Sequence, residues 1–193
     1  MFYSTDDSKF AYLKCLEMDY MKIHDEIPKF DKLTVTVQRE SGDSYQTDTR
    51  ELLIEKIGKN RNWIKGYIDI WYNYPLMAHN VVIGDAEKMC PFTINLLKKL
   101  GNIKIAGFSL LLPNSELPVH QDDVGPTYNS MAFNMKLTGG VCNLHLRKNN
   151  NKFISHRHIT GKAVIFNSEI FHYADNKGSI NRVILYIDFE TKN

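Results

Sequence analysis

The sequence predicts an α+β fold in which helices of the N-terminal half pack outside a C-terminal double-stranded β-helix, a jelly roll. Three observations lead there. The first half mixes helical and strand-like patterns. From Ile103 onward the chain reads as many short apolar runs. Turn-forming residues separate those runs at short intervals.

The elements follow in order. Residues 8–23 carry Phe10, Leu13, Met18 and Met21 at roughly helical spacing. Residues 33–37, Leu-Thr-Val-Thr-Val, alternate like a strand. Residues 48–57 read as a helix, with Asp48 as its cap, Glu51 as the capping-box partner and Gly58 as its stop. Residues 91–100 read as another, with Pro91 in the first turn and Gly101 just past the end. Strands are expected over 103–112, 131–137, 141–146, 163–166, 171–173 and 182–189. Pro113-Asn114-Ser115, Thr138-Gly139-Gly140, Thr160-Gly161 and Asn176-Lys177-Gly178 supply the turns. Asn149-Asn150-Asn151 reads as a loop tip. There is no repeat and no Pro/Gly/Ser linker, so 193 residues are expected to form one domain.

Composition narrows the function classes. The chain is 43% hydrophobic and 24% charged, as a globular domain is. A net charge of +2 gives no reason to expect nucleic acid or an anionic membrane as partner. The N-terminus has no basic stretch leading into an apolar run, and nothing approaches the ~18 apolar residues of a membrane span. Cys15, Cys90 and Cys142 are odd in number and far apart, which fits a reducing compartment and predicts a cytoplasmic protein. Cys90 and Cys142 are expected to pack as small hydrophobes.

Of the seven histidines, two have chemically suggestive surroundings. His120-Gln121-Asp122 sets an imidazole and a carboxylate two apart, on one face if the segment is extended. With His172, about fifty residues later, they make two histidines and one carboxylate. That is the facial set that binds non-haem iron(II) and leaves positions open for other ligands. Spacing alone is weak support, because most such pairs are surface polar residues. Arg182 adds weight. It stands ten residues after His172, and the turn Asn176-Lys177-Gly178 is centred between them. A hairpin there would set the two side chains opposite each other, with Cβ atoms about 5 Å apart. A guanidinium suits a carboxylate because its planar fork bonds both oxygens.

With these residues in view, the stretch from Trp71 to Phe189 resembles the catalytic domain of the aspartyl/asparaginyl β-hydroxylases. The matching pieces come in order: Trp71-Tyr72-Asn73-Tyr74-Pro75-Leu76, Cys90-Pro91-Phe92-Thr93, Ile105-Ala106-Gly107-Phe108-Ser109 and Pro118-Val119-His120-Gln121-Asp122. Gly161-Lys162-Ala163-Val164-Ile165-Phe166-Asn167, Phe171-His172 and Asn181-Arg182 with the strand after it complete the set. Residues 71–193 are thus the family-like core, and 1–70 an N-terminal elaboration outside the resemblance.

The resemblance implies a jelly roll, Fe(II) held by His120 and His172, and O2 and 2-oxoglutarate as co-substrates. Arg182 and Ser109 match the residues that hold the distal carboxylate of 2-oxoglutarate. The implied reaction hydroxylates an unactivated C–H of a peptide side chain or amino-acid-like substrate, with release of succinate and CO2. A free amino acid, a small molecule or a lipid is the alternative substrate, although no apolar anchor for a lipid is visible.

Two departures from the family pattern matter. The animal enzymes have glycine in place of the triad carboxylate, whereas this chain keeps Asp122, with Asp123 as a competitor for the role. The family's arginine and histidine, two apart before a Leu-x-Leu strand, correspond to Ala132 and Asn134. Asn134 is the candidate to take over the hydrogen bond to the metal-proximal carboxylate.

Other residues read more plainly. His156-Arg157-His158 looks like a solvated loop. His145 and Arg147 share a strand face with Asn143, either lining the barrel toward substrate or facing solvent. Trp71, Tyr72 and Tyr74 read as packing, with the pocket mouth as their other possible place. The rival of another class is a non-catalytic, cupin-like module that binds a metal or ligand.

Overall fold

The computed structural model describes residues 1–37, 62–122, 130–148 and 151–191. The helix expected over 48–57, the competing carboxylate Asp123, and Asn149 and Asn150 of the loop tip lie outside these residues.

The strands, among the described residues, are β1 (Thr36–Val37), β2 (Ile64–Lys65), β3 (Trp71–Ala78), β4 (Val81–Val82), β5 (Ile103–Leu111), β6 (Ser115–Glu116), β7 (Ser130–Thr138), β8 (Cys142–Arg147), β9 (Phe153–Arg157), β10 (Ala163–Asn167), β11 (His172–Asn176) and β12 (Arg182–Glu190). They form two sheets. The larger runs β1-β2-β3-β5-β12-β7-β10 with β4 beside β3, and the smaller runs β6-β11-β8-β9. All pairings are antiparallel except β1 with β2. Two facing antiparallel sheets with flanking helices are the predicted jelly roll.

Strict alternation along the large sheet places the core. On β12, Val183, Leu185, Ile187 and Phe189 face outward and join Phe108, Leu110, Phe133 and Met135 in the main cluster. The N-terminal helical residues Phe10, Leu13, Leu16 and Ile23 cover that face, as do Ile94 and Leu97 of the helix Pro91–Leu100. The other face looks between the sheets. There Leu111, Ala132, Val164 and Phe166 meet Leu144, Leu146 and Ala174 of the small sheet. A strand buried on both faces reads as a continuous apolar run, as β12 does over Val183-Ile184-Leu185.

The helix Pro91–Leu100 forms as expected, with Pro91 in its first turn and Gly101 at φ 65° just beyond. The long helix expected over 8–23 is instead three short pieces: a 3-10 turn over Ser8–Leu13 and α-helices over Lys14–Met18 and Tyr20–Asp25. Residues 33–37 divide between a 3-10 turn over Lys32–Thr34 and β1. β3 has no counterpart among the expected strands. Pro75 argues against a strand, yet it is accommodated where the β3–β5 register slips, between Pro75 and Met77. Cys90 and Cys142 are buried, as expected, and burial pushes the Cys90 thiol up to about 12. Among the described residues, no helix is long and apolar enough to cross a membrane.

Candidate metal centre

The backbone brings His120, Asp122 and His172 together. His120 N–H donates to His172 O at 2.9 Å, and His172 N–H donates to His120 O at 2.7 Å. Two residues on, Asp122 N–H donates to Ser168 O at 3.0 Å. The segment 120–122 is therefore extended and antiparallel to 168–172. His120 and Asp122 fall on one face for the period-two reason anticipated from their spacing. The three donor atoms lie within 4.8 Å of one another. His120 Nε2 and His172 Nε2 are each 3.9 Å from a different oxygen of Asp122.

Both rings are fixed from behind. His120 Nδ1–H donates to Pro118 O at 2.8 Å, and His172 Nδ1–H donates to Ile170 O at 2.8 Å. A backbone carbonyl on Nδ1 selects the tautomer whose Nε2 lone pair is free, and both lone pairs are directed to the shared space. Burial lowers the pKa of His172, with the Asp122 charge opposing the shift. Two neutral imidazoles and one carboxylate match a divalent first-row metal with open positions.

The cluster opens into a cavity of about 420 Å³ between the sheets, near the usual size for a small-molecule site. Arg182 lines it and is only 1% exposed. Its Nε has no hydrogen-bond partner among the described residues, and burial pulls its pKa down to about 10, so it stays charged at neutral pH. A buried cation without an anion is costly, and a bound carboxylate would remove that cost. Ser109 stands on the neighbouring strand and lines the same cavity. Its Oγ accepts from Trp71 Nε1–H at 2.8 Å, which leaves its own O–H free to donate into the space. Asn134 also lines the cavity, and its Oδ1 is buried without a partner. Ala132 is buried among the apolar residues between the sheets.

Arg182 reaches this place by another route than the hairpin expected from the turn at Asn176-Lys177-Gly178. His172 opens β11 in the small sheet, where it pairs with Leu146 of β8. Arg182 opens β12 in the large sheet, where it pairs with Leu111 of β5. The turn crosses from one sheet to the other, so the two residues face each other across the interior. Asn176 holds that crossing, its Nδ2 donating to the carbonyls of Leu111, Leu112 and Ile180.

Other expectations are corrected. His156 and Arg157 belong to β9, and His158 just after it is 3% exposed with neither ring nitrogen partnered, so the triplet is no solvated loop. His145 takes no part in the cavity. Its Nε2 contacts Asp175 Oδ2 at 2.9 Å and its Nδ1 contacts Ser155 Oγ at 2.7 Å. Trp71 and Tyr74 line the cavity, whereas Tyr72 packs in the outer core.

Tyr186, Tyr67 and Asn73 line the cavity as well and were not singled out from the sequence. The signal for Tyr186 was present, because period-two alternation from Arg182 passes through Ile184 to Tyr186. Burial raises the Tyr186 phenol well above its ordinary value, with the charges of Asp188 and Asp122 adding to the shift. The phenol therefore keeps its proton and is a hydrogen-bond donor lining the cavity.

Comparison with known proteins adds a family and relatives. A family model described as aspartyl/asparaginyl beta-hydroxylase matches residues 17–192. The chain is 26% identical over 191 residues to an ornithine lipid ester-linked acyl 2-hydroxylase of Rhizobium tropici, covering 93% of this chain and 66% of that protein. It is 28% identical over 141 residues to uncharacterized protein L888 of Acanthamoeba polyphaga mimivirus, covering 68% of this chain and 48% of that one. The chain thus spans about half to two thirds of the length of these relatives. Among solved structures, an oxidoreductase of the 2OG-Fe(II) oxygenase family from Burkholderia pseudomallei is similar at TM-score 0.48 and 10% identity, over 64% of this chain and 67% of that one. An oxalate decarboxylase from Lactobacillus farciminis is similar at TM-score 0.43 and 10% identity, over 66% and 31%.

Proposed function

The chain belongs to the aspartyl/asparaginyl beta-hydroxylase family, and on that premise we propose that it is an Fe(II)- and 2-oxoglutarate-dependent hydroxylase of unactivated C–H bonds. The observation that carries this reading is one cavity holding both a His/Asp/His donor cluster and a buried arginine whose Nε has no hydrogen-bond partner among the described residues.

In this reading His120, Asp122 and His172 hold the metal. Arg182 takes the distal carboxylate of 2-oxoglutarate through its guanidinium fork, and the Ser109 hydroxyl donates to the same carboxylate. Asn134 donates to the metal-proximal carboxylate from its amide nitrogen. When bound, the iron supplies O2 activation coupled to decarboxylation of the keto acid to succinate and CO2, and with it the oxidising power for hydroxylation. The protein's own part is to orient the donors, neutralise the dicarboxylate and keep water from the reacting carbon. Pro118 O and Ile170 O fix the imidazoles, and the apolar walls between the sheets exclude solvent.

A specific observation favours an aliphatic substrate over a peptide carboxylate or amide. Away from Arg182 the cavity continues along Gly107 and Pro75 to Ile64, Ala78 and Ile83, which form an apolar cluster of their own. That arm offers an alkyl chain burial worth about 0.8 kcal/mol per methylene. It offers few partners to a polar side chain. The Rhizobium relative's action on an acyl chain agrees with this choice of substrate.

The test is anaerobic titration of the protein with Fe(II) and 2-oxoglutarate. A weak visible metal-to-ligand charge-transfer band is expected, and the His172→Ala protein, folded by circular dichroism, should lack it. A wild-type protein without the band rules the reading out. Succinate release is then followed across acyl lipids, peptides and free amino acids, with acyl substrates expected to couple best.

A further inference from the structure

The large sheet sets five residues side by side in one row that faces the space between the sheets. The register runs from Pro75 on β3 through Gly107 on β5, Tyr186 on β12 and Asn134 on β7 to Val164 on β10. Of the five, Tyr186 and Asn134 alone have polar side chains, and both line the cavity. Directly opposed side chains on neighbouring strands share a face, with Cβ atoms about 5 Å apart. The short asparagine side chain ends close to the sheet, while the phenol reaches further from it. A group resting on the Asn134 amide would therefore have the Tyr186 hydroxyl at its side.

The position of this row decides what that group is. The next row along the sheet holds Phe166, Ala132 and Asp188. Phe166 meets the His172 ring edge-on, with ring centroids 5.0 Å apart. In the other direction along β12, Arg182 stands four residues from Tyr186, about 13 Å of strand. The Tyr186–Asn134 row thus lies between the arginine end of the cavity and the row that touches a histidine of the metal cluster. Neither polar side chain is satisfied by the protein. Among the described residues the Tyr186 hydroxyl forms no hydrogen bond, and burial keeps it protonated, so it is available as a donor. The Asn134 amide oxygen is buried without a partner, so the edge that the amide turns to the cavity is its nitrogen.

We propose that Tyr186 is a co-substrate-binding residue, whose hydroxyl joins the Asn134 amide nitrogen in a two-donor cradle for the metal-proximal carboxylate of 2-oxoglutarate. The inference rests on the hydroxylase reading above and deepens it. A carboxylate fits two donors because it only accepts, and it has lone pairs enough to take both hydrogen bonds and still ligate a metal. The co-substrate is then held at both ends from the large sheet, by Arg182 and Ser109 at the distal carboxylate and by Tyr186 and Asn134 at the proximal one. The cradle also accounts for Ala132 and Asn134 standing where the family pattern has arginine and histidine. The donor missing from β7 is supplied from the neighbouring strand, at the position directly opposite Asn134.

The experiment compares wild type with Tyr186→Phe, which removes the hydroxyl and keeps the ring. Anaerobic protein loaded with Fe(II) is titrated with 2-oxoglutarate and, separately, with 2-oxobutanoate, which lacks the distal carboxylate. The visible charge-transfer band reports binding of each. The variant is expected to bind both keto acids about tenfold less tightly, the weight of one hydrogen bond to a charged group. Its band maximum should also be displaced, because the hydrogen bond is made to the metal-bound chromophore itself. Its Fe(II) affinity without keto acid should equal that of the wild type. Ser109→Ala, acting at the distal end, should weaken 2-oxoglutarate alone. A band that stays in place in Tyr186→Phe, or a loss confined to 2-oxoglutarate, overturns the cradle. Weaker Fe(II) binding in the variant overturns it too, since the hydroxyl would then serve Asp122. A wild-type protein without the band overturns the hydroxylase reading instead, so the two failures are told apart.

Discussion

Ser109 is held by a residue 38 positions away, because the Trp71 indole N–H occupies a lone pair on its oxygen and leaves its O–H free to donate. Arg182, on the neighbouring strand, lines the same cavity, buried and with its Nε unpartnered among the described residues. In the proposed function these two share one carboxylate. Ser109→Ala should therefore weaken 2-oxoglutarate binding by about tenfold, the weight of one hydrogen bond to a charged group, without moving Fe(II) affinity. Titrating the charge-transfer band against 2-oxoglutarate checks this. Trp71→Phe should shift the same curve in the same direction but less, because it removes only the constraint on the hydroxyl. Equal co-substrate affinity in Ser109→Ala and wild type would remove Ser109 from the site.

Among the elements, the helix Pro91–Leu100 shows how a distant side chain can complete local structure. Pro91 lacks an N–H, and the next donors need acceptors. Glu26 supplies them from just beyond the helix Tyr20–Asp25. Its Oε1 accepts from Phe92 N–H, and its Oε2 accepts from Thr93 N–H and Thr93 Oγ–H, all at 2.7 Å. A carboxylate there also meets the positive end of the helix dipole. Glu26→Ala should cost about 1–2 kcal/mol in urea denaturation, with the charge-transfer band retained, since the helix packs on the outer face of the large sheet. Glu26→Gln should recover part of that loss. The strand β3 was harder to anticipate. Pro75 breaks the pattern within it, and only pairing with β5 reveals that the break is a register slip at a tolerated place.

Across the whole molecule, the space between the sheets carries a polar file along β12, from Arg182 through Tyr186 to Asp188. Asp188 is fully buried, accepts from Ser130 Oγ–H through Oδ1, and has no partner for Oδ2 among the described residues. Burial pushes its carboxyl up to about 7 from an ordinary value of 3.8, the Asp122 charge adding to the rise and the Ser130 hydrogen bond opposing it. The unfolded chain ionises this group near pH 4, while the folded chain keeps its proton to about pH 7. Across that window the folded state binds more protons, so stability falls as pH rises and levels off above it. The fall is on the order of 4 kcal/mol if Asp188 acts alone. Asp188→Asn should flatten this part of the profile in metal-free protein. Urea denaturation at pH 4.5, 6 and 8 measures it, and parallel profiles for wild type and variant would show that Asp188 is not the group responsible.

How much of this was legible beforehand differs with scale for a physical reason. The sequence by itself determined what depends on local period and residue chemistry. The apolar runs and their turns predicted a jelly roll, and the His-x-Asp spacing, once extended, could only put both donors on one face. The ordered motifs carried the family. Short-range logic failed where partners lie far apart in the chain. The hairpin expected between His172 and Arg182 does not form, and the two line one cavity from different sheets, because a turn does not reveal whether it returns within one sheet or crosses to another. His158 looked solvated, because polar residues in sequence do not reveal which side of a strand is inside. Only the tertiary structure decided that the two sheets face each other, with Arg182 across the interior from His172 and Trp71 on Ser109. Such contacts depend on sheet order and register, which are set by packing across the whole chain and not by any one segment of it.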